Sequence, residues 1–199
     1  MQVLGTLKRG RIFIVSAPAG TGKTTLVQML VDEFDCVQRS ISYTTRKMRR
    51  GEAEGKDYHF VSEDVFKKMV QTDAFYEYAE VFGEYYGTSK KEVENALKKG
   101  KHVVLVIDTQ GAKLLKQVLN AVYIFISPPN LNELKKRLHG RKSESDASIE
   151  TRLSWASKEL EASKDYDYLI VNENLKLAFE VFRSIFIAEE HRILKETLI

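Results

Sequence analysis

Short blocks of uninterrupted apolar residues alternate along the chain with longer stretches in which apolar residues return every three or four positions. Residues 11–16 (RIFIVS) form a β-branched, aromatic run that stops at Ala17-Pro18-Ala19-Gly20, the pattern of a buried parallel strand ending in a tight turn. From 24 to 34 the apolar positions are Leu26, Val27, Leu30, Val31 and Phe34, a single helical stripe suited to packing on a sheet. Further buried strands are predicted at 103–108, 122–127 and 168–171, with helical patterns around 113–119 and 131–138. Near the end, Leu177, Val181, Ile185 and Ala188 share a helix face, predicting a long closing helix packed on the sheet. This alternation predicts an α/β protein with a mainly parallel sheet and helices on both faces.

Two stretches break the alternation. Residues 37–92 are polar and aromatic, with short β-like pieces, Gly51, Gly55, Gly83 and Gly87, and one amphipathic stretch near 65–70; they read as an inserted substrate-binding subdomain. Residues 138–151 are charged and poorly apolar, which predicts a mobile lid rather than core. The expected organisation is one domain over 1–199: a core of 1–36, 93–130 and 161–199, an insert of about 37–92, and a helical lid of about 131–160.

Composition narrows this picture only a little. A chain of 199 residues with 43% hydrophobic content can bury one substantial core, and a net charge of +3 is too mild to demand a nucleic-acid or membrane partner. No apolar run is long enough to cross a bilayer, no secretory leader is evident, and the single cysteine, Cys36, excludes an internal disulfide. A cytoplasmic protein, monomeric or a small homo-oligomer, is expected. The four histidines, His59, His102, His139 and His191, show no ligand spacing, so structural or surface roles are expected of them and of a small buried Cys36 thiol.

Chemistry enters at the first strand-to-helix turn. Ala17, Pro18, Ala19, Gly20, Thr21, Gly22, Lys23 and Thr24, followed by Thr25, match G-x-x-x-x-G-K-[ST] with alanine for the first glycine. A loop of this kind presents successive amides and a helix N-terminus to phosphate oxygens. Lys23 is positioned by the motif to reach the β- and γ-phosphates of ATP, and the Thr24 hydroxyl to ligate Mg²⁺. The alanine is tolerable only if its φ stays negative.

The segment from Ser42 to Phe60 carries the second site. Arg46 and Arg49 can fork onto phosphate oxygens, and Ser42, Tyr58 and Tyr86 supply hydroxyl donors. Together they describe an anion pocket for a monophosphate. The segment resembles the GMP-binding segment of guanylate kinases, S-x-T-T-R-x-P-R-x-G-E-x-x-G-x-D-Y-x-F, with Met48 in place of the proline. With the phosphate loop, Tyr85-Tyr86-Gly87-Thr88, the Ile107–Gly111 run and the lid arginines, the similarity covers nearly the whole chain. The resemblance implies a fold of the phosphate-loop NTPase type with an inserted monophosphate-binding subdomain and a lid. It implies ATP and GMP as substrates, and places Ser42, Arg46, Arg49, Tyr58 and Tyr86 at the GMP phosphate and Glu77, Thr88 and Asp108 at its base. A carboxylate facing the guanine N1–H and N2–H₂ donors would be left unpaired by adenine.

The resemblance further assigns Arg137, Arg141 and Arg152 to the lid, where cations offset the repulsion between two polyanions and stabilise charge in the transition state. It puts Asn172 near the adenine of ATP. One departure is Val106, where family members usually carry an acid two residues before Asp108; this bears on Mg²⁺ more than on GMP. Two other readings stay open: a phosphate-loop kinase for another phosphorylated acceptor, and a non-catalytic interaction module with the same fold. The intact Gly22, Lys23 and Thr24 argue against the second.

Overall fold

The computed structural model describes residues 3–193 except 82 and 140–145, and the side chains of these residues apart from 146–149. Nine strands form two sheets. In chain order the elements are β1 (Ile12–Ser16), α1 (Lys23–Glu33), β2 (Val37–Arg39), β3 (Tyr43–Thr44), β4 (His59–Phe60), α2 (Glu63–Gln71), β5 (Phe75–Val81), β6 (Glu84–Ser89), α3 (Lys90–Lys98), β7 (His102–Val106), α4 (Thr109–Leu115), β8 (Val122–Ser127), α5 (Leu131–His139), α6 (Asp146–Ala162), β9 (Tyr168–Val171) and α7 (Leu175–Glu190). The larger sheet has the order β2-β7-β1-β8-β9, and every pairing in it is parallel.

Because β1 is buried on both faces, its alternate residues serve different layers. Phe13 and Val15 join Leu26, Val27 and Leu30 of α1 and Phe182 and Phe186 of α7 in one core cluster. Ile12 and Ile14 join Val93 and Leu97 of α3 and Ala112 and Leu115 of α4 in the other. Helices therefore cover both faces, as the pattern predicts. The smaller sheet, β4-β3-β6-β5, is mixed: β6 is antiparallel to β3 and β5, and β3 is parallel to β4.

Three sequence expectations need correction. On α7 the buried row is Ala178, Phe182, Ile185 and Phe186, while Leu177 is 64% and Val181 48% exposed. Two phenylalanines bury more area than the aliphatic row one position away, and they set the rotation of the helix. The helix expected at 113–119 instead begins at Thr109, because Asp108 caps it by accepting from the Gly111 amide at 2.7 Å. Leu138, read as part of the lid, is 1% exposed in a small apolar cluster with Leu134 and Ala156. In addition β2 belongs to the larger sheet, three residues into the stretch read as the insert, and Cys36 is half-buried.

Candidate active site

The turn after β1, the end of β7 and the residue after β9 all lie at the carboxyl edge of the parallel sheet, where open α/β sheets place their ligands. Gly20 and Gly22 both have φ of 90°, a region open to glycine and strained for other residues. A Cβ on Gly22 would lie 2.6 Å from Asn172 Nδ2, and one on Gly20 3.0 Å from Leu138 Cδ2. Among the described residues Asp73 is the one non-glycine with positive φ, so the alanine at 17 sits in an ordinary conformation. Pro18 O accepts from the Thr21 amide at 3.3 Å and the Thr21 hydroxyl at 2.8 Å. Asn172, 4% exposed, donates from its carboxamide to Thr21 O at 2.7 Å. That makes it a brace for the loop, a use that the expectation of a place near adenine did not suggest.

Gly22 caps α1 with no side-chain hydrogen bond, and the first turn contains no acid. The leading amides and the positive end of the helix dipole are thus presented to an anion. Lys23 Nζ donates to Ala17 O at 3.4 Å. Burial pulls its pKa down, while Glu159 and then Asp108 act against that shift. Thr24 is exposed on the same turn.

A cavity of about 240 Å³ is lined by Ser42, Tyr58, Glu77 and Tyr86 from the smaller sheet and its flanking loops and by Val106, Ile107 and Asp108 at the end of β7. The Thr88 hydroxyl, on a residue 1% exposed, donates to Glu77 Oε1 at 2.6 Å. Burial raises the Glu77 pKa; the Thr88 hydrogen bond opposes the rise and the Asp108 charge adds to it. Glu77 is therefore a carboxylate short of donors.

Arg46 lies beside this cavity, its guanidinium 5.4 Å from the Tyr58 ring centroid. Its Nη2 is forked onto Glu52 at 2.7 and 3.0 Å, and Glu52 also accepts from the Arg49 amide at 2.8 Å. The Arg49 side chain is exposed and is not part of the wall. On α5, Arg137 Nη1 donates to Asn172 O at 3.0 Å, tying that helix to the same residue that braces the loop. Arg152 is exposed on α6, and Arg141 lies outside the described residues.

Sequence reasoning missed three participants. Glu52 was visible as the acid inside the arginine-rich motif. Glu159 of α6 has Lys23 and Asp108 as charged neighbours, and the buried Tyr166 hydroxyl, pushed up to about 12 chiefly by burial, has the Ser16 hydroxyl and the charges of Asp108 and Glu159 around it. Neither carried a local signal, since Glu159 is brought in by the packing of α6 and Tyr166 by its ring contacts with Tyr123 and Phe125 of β8.

A family model for guanylate kinase matches residues 9–189. The chain belongs to the guanylate kinase family. It is 54% identical over 196 residues to a guanylate kinase of Protochlamydia amoebophila, covering 98% of this chain and 100% of that one. A guanylate kinase of Chlamydia trachomatis is 50% identical over 184 residues, 92% of this chain and 90% of its own. The crystal structure of guanylate kinase from Anaplasma phagocytophilum superposes with a TM-score of 0.76 at 34% identity, covering 96% of this chain and 90% of that one. The match extends through both sheets, so membership concerns the whole assembly rather than the phosphate loop alone. Among the described residues no helix is long and apolar enough to cross a membrane, and no group of three or more His, Cys, Asp and Glu side chains is gathered for a metal.

Proposed function

We propose that the protein transfers the γ-phosphate of ATP to GMP or dGMP, giving ADP and the corresponding diphosphate, in a single domain built as core, acceptor insert and lid. The observation that carries this reading is the pairing of Thr88 with a donor-poor Glu77 in a cavity that Ser42, Tyr58 and Tyr86 also line. Guanine N1–H and N2–H₂ supply the donors that Glu77 lacks, with Thr88 and Asp108 beside it. Adenine offers an acceptor there instead and leaves the carboxylate unpaired.

The residues act by position and charge. The loop from Ala17 to Thr25, through its backbone N–H groups (Pro18 has none), and the Lys23 ammonium hold the triphosphate, and Arg46, Arg49, Ser42, Tyr58 and Tyr86 hold the acceptor phosphate. Arg46 must exchange Glu52 for that phosphate, a swap between two bidentate acid partners. Arg137, Arg141 and Arg152 offset charge at the transferring group. The acceptor needs no general base: with a second pKa of about 6 a phosphomonoester is mostly dianionic at neutral pH and already nucleophilic. Mg²⁺ fits the exposed hard oxygen of Thr24 and would neutralise phosphate charge when bound. We assign the protein to the cytoplasm, as a monomer or small homo-oligomer acting on free nucleotides.

The test is ADP release, coupled to a reporter reaction, over GMP, dGMP, AMP, UMP, CMP and dTMP, with Lys23→Ala as control. GMP or dGMP should exceed every other acceptor by a wide margin, and the Lys23→Ala variant should be nearly inactive. Comparable rates with AMP would overturn the base assignment.

A further inference from the structure

The wall of the acceptor cavity is tied to the rest of the molecule from outside the cavity. Ser42 and Tyr58 line it, and each is followed in the chain by a ring, Tyr43 of β3 and His59 of β4. These two rings are register partners with centroids 4.6 Å apart, and the His59 amide donates to Ser42 O at 2.9 Å. Both rings lead to one carboxylate on another element. The Tyr43 hydroxyl donates to Glu92 Oε1 at 2.8 Å, and His59 Nε2 lies 3.4 Å from the same oxygen. The other ring nitrogen, Nδ1, is 3.0 Å from Glu54 Oε1. Glu92 stands in the first turn of α3, where the Ser89 hydroxyl accepts from its amide at 3.4 Å. The next residue, Val93, is buried with Ile12, Ile14 and Leu105 against one face of the parallel sheet. A half-buried acid on a helix fixed to the larger sheet thus holds the two strands that follow Ser42 and Tyr58.

We infer that Glu92 is a positioning residue for the acceptor: from α3 its carboxylate fixes the Tyr43 and His59 rings, and through them sets where Ser42 and Tyr58 stand in the cavity wall. Glu92 is not itself among the lining residues, so it acts through the rings it holds. A hydroxyl donates well over only about 0.5 Å of distance, so a wall that shifts by more than this loses its grip on a phosphate oxygen. Without the carboxylate β3 remains paired with β6; the smaller sheet stays folded while β3 and β4 lose their tie to α3. This role rests on the cavity being the acceptor site proposed above.

Initial rates with GMP and ATP varied in turn, together with the Kd of GMP from calorimetry, separate this role from a general loss of structure. In Glu92→Ala both KM and Kd for GMP should rise about tenfold, while KM for ATP stays within about twofold. Glu92→Gln keeps an acceptor for the Tyr43 hydroxyl and should recover most of that loss. Tyr43→Phe keeps the ring beside His59 but not the hydroxyl, and should raise KM for GMP about fivefold. Added to Glu92→Ala it should cost nothing further, because both changes remove one tie. Three results would each overturn the role: GMP binding unchanged in both single variants, KM for GMP and for ATP rising together with a lowered melting temperature in Tyr43→Phe, or effects of the two substitutions that multiply in the double variant. Should Glu92→Ala fail to fold, Tyr43→Phe decides alone, by the same split between KM for GMP and KM for ATP. A wild-type protein that binds no GMP would overturn the reading of the cavity, and this role with it.

Discussion

The sharpest stability prediction concerns Glu190, at the end of α7 and 4% exposed. Its carboxylate accepts from the amides of Gly5 and Thr6, both at 2.7 Å, from the Thr6 hydroxyl at 2.6 Å and from His102 Nε2 at 2.6 Å. The tautomer follows from the Arg11 amide, which donates to His102 Nδ1 at 3.1 Å and leaves the proton on Nε2. Burial lowers the His102 pKa against the opposing pull of Glu190, so a neutral imidazole serves as donor. For Glu190 burial works upward, but the four hydrogen bonds prevail and hold the carboxyl at about 2 against an ordinary 4.5. That separation corresponds to about 3 kcal/mol, at about 1.4 kcal/mol per pH unit. Because the folded pKa is the depressed one, this stability is present above pH 4.5 and is lost as pH falls toward 2. Urea unfolding of wild type and Glu190→Gln should therefore differ by about 3 kcal/mol at pH 7 and by less than half of that at pH 3. Equal differences at the two pH values, or none at pH 7, would refute the reasoning.

Other expectations concern the site. Glu77→Gln should lower kcat/KM for GMP by about 100-fold, the cost of a charged hydrogen-bond acceptor, and reduce discrimination against AMP, both read from initial rates. Gly22→Ala, at φ 90° with its new methyl 2.6 Å from Asn172 Nδ2, should cost about 2 kcal/mol in chemical unfolding and weaken ATP binding measured by calorimetry. Val106→Asp should lower the Mg²⁺ concentration giving half-maximal rate; an unchanged titration would count against a metal held chiefly by Thr24, water and nucleotide.

Much of the donor half is legible from residue order alone. The strand of 12–16, two glycines and a lysine opening a helix are local features, and each forms its element with little help from elsewhere. Tertiary competition explains the misreadings. The rows Leu177/Val181 and Phe182/Phe186 both have helical spacing, and only the volume of the aromatic side chains decides which turns inward. Asp108 was noticed only for an expected role toward the acceptor base, yet its capping bond to Gly111 moved the start of α4 by four residues. Glu159 was invisible for a different reason: it comes into the neighbourhood of Lys23 and Asp108 only because α6 packs on α5, a relation that no spacing within the helix encodes.

The two sheets divide the labour in a way that bears on how such a protein can change. The groups we propose for ATP hang from the parallel sheet and its helices, whereas most of those we propose for the acceptor lie on the mixed sheet and the loops that flank its strands, and the two meet where Glu77 of β5 approaches Gly111 and Asp108. Altering the preferred nucleotide should then require edits on one side of that seam only. Inheritance of the energy-supplying half can stay fixed while the accepting half drifts, provided the glycine at 111 keeps the junction narrow.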